Sequence, residues 1–119
     1  MTAPVELNAI TLRVTDMAAS ITFYDALGLD LIVEYGGPDS PFTTLRFADN
    51  FINLTAAEGP PETGWGRVIF HVTDPDGVCE AIHSAGYEPS TEPADAPWGE
   101  RYFHVSDPDG HELSFARRL

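Results

Sequence analysis

His71, His104 and Glu112 offer two imidazoles and one carboxylate, the donor set of a two-histidine, one-carboxylate metal site. Separate places on the wall or rim of a cavity are the reading preferred over that site. Arg67 also has two readings. It can pair with Glu112, or with an acidic residue of a second chain, or it can clamp a ligand carboxylate or phosphate. Trp98, within Pro97-Trp98-Gly99, suits either loop packing or a ligand platform. His83 falls in a helical stretch and His111 in a turn, so both are expected in solvent. Cys79 is the only cysteine, which excludes an internal disulfide, and it is expected as a small buried helix residue. No spacing supports a Ser/His/Asp or Cys/His nucleophile. Gly36-Gly37-Pro38 is a hairpin turn and not a phosphate loop.

Composition removes other classes of chemistry. Six arginines and no lysine stand against 19 Asp and Glu, a net charge of −13. Nucleic acid and anionic membrane surfaces need clustered cations, so neither partner is expected. Without lysine there is no Schiff-base nucleophile. At 119 residues, 43% apolar and 11% aromatic, the chain fits a single domain (1–119) with its own core. It shows no signal-peptide pattern and no apolar run of membrane-spanning length, so a cytoplasmic location is expected.

The elements that position these residues come from an internal repeat. Ile10 to Asp16 alternates apolar and polar residues and ends Val-Thr-Asp, and Val68 to Asp74 does the same 58 residues later. A helical stretch follows each, Met17 to Leu27 and Pro75 to Ala85. Each stops at a glycine, Gly28 and Gly86, at the same offset. Asp16 and Asp74 are N-caps, Pro75 suits the first helical turn, and the glycines suit the left-handed position after a helix. Ile21, Tyr24 and Leu27, with Phe23, give the first helix its apolar face, and Val78, Ile82 and Ala85 the second. Strands are expected at 31–35, 42–47 and 51–55, then at 87–89, 101–106 and 112–116. Asp107-Pro108-Asp109-Gly110 joins the last two as a tight turn. The fold is α+β: a βαβββ module at 5–58, a linker at 59–66 and a second βαβββ module at 67–119.

Val14-Thr15-Asp16-Met17, Ser20, Phe23-Tyr24 and Leu27-Gly28-Leu29 resemble the opening signature of the vicinal oxygen chelate superfamily. Pro97-Trp98-Gly99, Arg101 and Asp107 to Gly110 resemble its closing signature. This group holds lactoylglutathione lyases, extradiol dioxygenases, fosfomycin-modifying enzymes and bleomycin resistance proteins. The resemblance implies paired modules whose sheets curl around a shared cavity, formed between two chains of a homodimer in short members. It also places four metal ligands at Ala9, Asn53, Arg67 and Ser114, where metal-using relatives carry His, Gln or Glu. This chain offers a methyl, an amide, a guanidinium and a hydroxyl there, so no metal and no cofactor is expected.

Strand alternation assigns the faces independently. Ile10, Leu12 and Val14 pack on the helix and turn Ala9, Thr11 and Arg13 the other way. Val68, Phe70 and Val72 do the same for Arg67, Ile69 and His71. The cavity residues expected to bind a ligand are Arg13, Asn53, Arg67, His71, Trp98, Tyr102, His104, Glu112 and Ser114. His71 lies four residues beyond Arg67, roughly 13 Å along its strand, too far to share an ion at that level. The expected function is metal-independent binding of a small molecule in a dimer cavity, in the manner of the bleomycin resistance branch. The competing function is a metal-dependent lyase, isomerase or dioxygenase of the same superfamily. Catalytic residues cannot be named from the sequence.

Overall fold

The structure, a computed structural model, describes residues 2–119. Its elements run β1 (Ala9–Val14), α1 (Met17–Ala26), β2 (Ile32–Tyr35), β3 (Phe42–Phe47), β4 (Asn50–Ala56), β5 (Arg67–His71), α2 (Pro75–Ser84), β6 (Ala94–Ala96), β7 (Glu100–Ser106) and β8 (Glu112–Arg118). They form two mixed four-stranded sheets of matching order, β1-β4-β3-β2 and β5-β8-β7-β6. In each, the first strand pairs in parallel with the last, and the rest is antiparallel.

The repeat acts through local chemistry. Asp16 accepts from the Ala19 N–H at 3.0 Å and Asp74 from the Gly77 N–H at 3.1 Å, so both helices start at the same Val-Thr-Asp step. A Cβ on Gly77 would lie 2.6 Å from Asp74 Oδ2, so a side chain there would displace the capping carboxylate. Gly28 and Gly86 have φ of 71° and 92°, the left-handed turn that ends each helix.

One core serves both modules. Leu12, Val14, Ile52 and Leu54 bury beneath α1, and Val68, Phe70, Leu113 and Phe115 beneath α2. Phe23 meets Tyr87 edge-on at 4.9 Å and Phe47 meets Phe70 at 4.9 Å, so aromatic pairs cross between the modules. Each such pair contributes about 0.5–1.5 kcal/mol beyond burial. A polar latch accompanies them. The buried Tyr24 hydroxyl donates to Asp107 at 2.8 Å, and Asp109 accepts from the Thr15 hydroxyl at 2.7 Å and from its N–H at 3.1 Å. Burial first, and Asp107 second, push the Tyr24 phenol well above its ordinary range.

Three expectations need correction. The strand placed at 87–89 is coil, and β6 forms at Ala94–Ala96 instead. Tyr87 is drawn onto Phe23, and Pro89 has no N–H for a ladder. Ala85 faces solvent, and Cys79 takes the buried place beside Val78 and Ile82. His111 is not solvated but 2% exposed. Its Nδ1 accepts from the Trp65 indole at 3.2 Å and its Nε2–H donates to the Arg13 carbonyl at 2.7 Å, which joins the linker and both modules.

Candidate functional site

The alternation that buries Phe103 and Val105 of β7 turns Glu100, Tyr102 and His104 to the opposite face. β5 places Arg67, Ile69 and His71 on the same side, and β8 adds Glu112 and Ser114. Arg67, Ile69, Trp98, Glu100, Tyr102, His104 and Ser114 line a recess of about 170 Å³. A cleft of about 680 Å³ adjoins it, sharing Arg67 and Ile69 and reaching Ala9, Phe47 and Phe51 of the first module.

Hydrogen bonds fix the charged end of the recess. Arg67 lies 3.3 Å from Glu112, so the ion-pair reading holds within one chain. Its guanidinium also lies 3.1 Å from His104 Nε2, and His104 Nδ1 lies 2.6 Å from the Ser114 hydroxyl. Arginine can only donate, so Nε2 accepts and the ring proton sits on Nδ1, which donates to Ser114. His104 is therefore neutral. Burial first, then the Arg67 charge, hold its pKa below the ordinary value, with Glu112 acting the other way. In this arrangement Ser114 accepts a hydrogen bond from His104, the reverse of an activated nucleophile, and both ring nitrogens are occupied.

The other end is aromatic. Trp98 lies 5.4 Å from Tyr102, and Tyr102 lies 5.0 Å from His104, ring centre to ring centre. The Trp98 indole donates to Glu100 at 2.9 Å, which fixes the loop residue over the sheet. The other Glu100 oxygen lies 2.9 Å from His71 Nε2. Trp98 is 64% exposed and Ile69 60%, so the aromatic wall has no cover within the chain.

Seven of the nine expected residues thus share the exposed face of the second sheet: Arg67, His71, Trp98, Tyr102, His104, Glu112 and Ser114. Arg13 and Asn53 belong to the first. Asn53 gives its amide to Thr11 at 3.2 Å and accepts from Thr44 at 2.9 Å, while the Arg13 carbonyl is taken by His111. Glu100 was missed, although its spacing from Tyr102 and His104 carries the signal. His71, His104 and Glu112 do not converge, since His71 is engaged by Glu100 and His104 by Arg67 and Ser114.

The positions that the resemblance assigns to metal do not suit one. Ala9 has no donor atom. Arg67 is a fixed cation and holds Glu112, the nearest carboxylate. Asn53 and Ser114 are neutral and already hydrogen-bonded. A transition-metal site needs about three imidazole, thiolate or carboxylate ligands.

The family model of the Glyoxalase/Bleomycin resistance protein/Dioxygenase superfamily matches residues 6–115. No curated protein matches the chain. Among solved structures, the fosfomycin resistance protein FosX from Listeria monocytogenes superposes with a TM-score of 0.80 at 18% identity, covering 98% of this chain and 96% of that one. TioX from Micromonospora sp. ML1 gives 0.75 at 22%, covering 97% and 100%. A glyoxalase/bleomycin resistance protein/dioxygenase from Nocardioides gives 0.73 at 22%, covering 100% and 87%. These likenesses concern the fold, and the family match spans both modules and every strand that lines the recess. The chain belongs to the Glyoxalase/Bleomycin resistance protein/Dioxygenase superfamily.

Proposed function

We propose that the chain binds a small planar ligand without a metal ion, in a cavity completed by a second copy of itself. The observation that carries this reading is the uncovered aromatic wall of Trp98, Tyr102 and His104, ending at the Arg67 guanidinium. Trp98 and Tyr102, tilted 33° to one another, give a flat apolar group a face to stack on, and the guanidinium meets an acceptor group at its edge. The recess of about 170 Å³ joins the cleft of about 680 Å³ at Arg67 and Ile69, which together give the volume of a ligand pocket, and a second copy would supply the missing cover. The exposed Trp98 and Ile69 are the surface a second copy would cover. Sequestration is favoured over acid–base catalysis because both His104 nitrogens are engaged. A metal-dependent lyase, isomerase or dioxygenase would need donors that the four metal positions lack.

A thermal-shift screen of planar aromatic carboxylates, run with and without chelator, tests the ligand, and light scattering at micromolar concentration tests the dimer. Stabilisation that survives chelator, in a species of twice 13.0 kDa, is the expected result. A clean monomer, or stabilisation that requires a divalent ion, would overturn it.

A further inference from the structure

A second group of donors lies on α2, outside the recess, and none of the chemistry above uses it. Cys79 and His83 stand four residues apart on the helix, so both point to one face. Glu92, from the coil between α2 and β6, reaches the same place, with its Oε1 3.6 Å from His83 Nε2. The Cys79 sulfur, one His83 ring nitrogen and a Glu92 oxygen lie within 4.8 Å of one another. Among the described residues no other His, Cys, Asp and Glu side chains form such a group of three. Cys79 is 4% exposed, whereas the side chains of His83 and Glu92 are 42% and 76% exposed. The group is therefore anchored in the core at one end and open to solvent at the other.

We propose that Cys79, His83 and Glu92 form a binding site for a zinc-class divalent ion, with water as the fourth ligand. The donor set selects the ion. Thiolate and imidazole suit zinc and its neighbours, while magnesium and calcium take oxygen donors alone. Tetrahedral bonds of about 2.0–2.3 Å hold ligand atoms roughly 3.3–3.8 Å apart. His83 and Glu92 already meet that spacing, and both side chains are exposed beside the buried sulfur. Glu92 and Asp76 add negative charge beside the sulfur, while burial opposes the free thiolate. Burial raises the Cys79 pKa most, and Glu92 and Asp76 add to it. The thiol is consequently protonated until a cation arrives. As the sulfur–metal bond forms, that proton leaves to solvent, so affinity rises with pH.

The site is structural and touches the recess only through the Ser90–Thr91 segment. Glu92 follows Thr91, whose hydroxyl accepts from the His104 N–H at 2.9 Å, and the Ser90 N–H donates to the His104 carbonyl at 2.8 Å. A bound ion would tie α2 to the segment that braces β7. This proposal is independent of the ligand-binding reading.

Cobalt(II) is the probe, added to the full chain after chelator treatment. The expected result is a thiolate-to-cobalt charge-transfer band that saturates at one equivalent and is displaced by zinc. His83→Ala and Glu92→Gln change exposed side chains and leave the fold intact, and each should weaken cobalt at least tenfold. Cys79→Ser should abolish the band, and if that variant fails to fold the other two still decide. Zinc should raise Tm by several degrees in the parent chain and in Arg67→Ala, and by much less in Glu92→Gln. No charge-transfer band, or a band of undiminished affinity in both His83→Ala and Glu92→Gln, overturns the site.

Discussion

The exposed faces of the two sheets come from one repeat, and their centres differ in character. On the first, Thr11, Thr44 and Asn53 bond to one another across β1, β3 and β4, so short neutral groups satisfy one another. On the second, Ile69, His104 and Ser114 take the places of Thr11, Thr44 and Asn53, Arg67 and Glu112 take those of Ala9 and Phe51, and Trp98 and Tyr102 flank them. The backbone is common, so the difference lies wholly in side chains. A face whose polar groups are mutually saturated offers a ligand little. A face with a guanidinium, an aromatic wall and 64% of Trp98 exposed has binding capacity left over.

The change expected to break this contrast most strongly is Arg67→Ala. A charge-assisted contact contributes about 1.5–3 kcal/mol, so calorimetry should show affinity for a planar aromatic carboxylate falling about 10- to 100-fold. Tm should move little, because Arg67 is half-exposed and fills no core volume. Failure of this variant to fold would make the Glu112 pair structural and remove the clamp.

Smaller effects sharpen the account. Tyr24→Phe deletes the buried donor to Asp107 while the Asp109 and His111 N–H groups still reach that carboxylate. Denaturant unfolding should show a loss of about 1–3 kcal/mol with ligand binding unchanged. Asn53→Ala removes a partly exposed network and should cost about 1 kcal/mol or less, again without loss of binding. A large binding defect in Asn53→Ala would show that the first sheet is part of the site.

The smallest effect is a titration. His104 is held below its ordinary pKa of about 6.5, so the unfolded chain takes up the proton first as pH falls. The stability tied to neutral His104 is present above about pH 6.5 and is lost as pH falls toward its folded value. NMR titration should place His104 below 6.5 in the parent chain and higher in Arg67→Ala, where the neighbouring charge is gone.

Much of the fold was legible, because capping and alternation are local. Val-Thr-Asp at Val14 and again at Val72, with Gly28 and Gly86, specified two modules, and alternation placed Tyr102 and His104 opposite Phe103 and Val105. Contacts between distant segments were not legible. His111 sits in a turn by sequence, and its burial depends on Trp65 and on the Arg13 carbonyl, 98 residues away. Glu92 has no periodic signal and meets Cys79 and His83 only through the path of the coil after α2. The β6 position depended in the same way on Tyr87 being claimed by Phe23.

The central claim is that the second-sheet face binds a planar acid without metal. Titrating 1-naphthoate into the chain while following tryptophan fluorescence, with and without excess chelator, tests it most directly. The account predicts a saturable change that is the same in both conditions and absent in Trp98→Phe. A change that vanishes with chelator and returns with a divalent ion would contradict it.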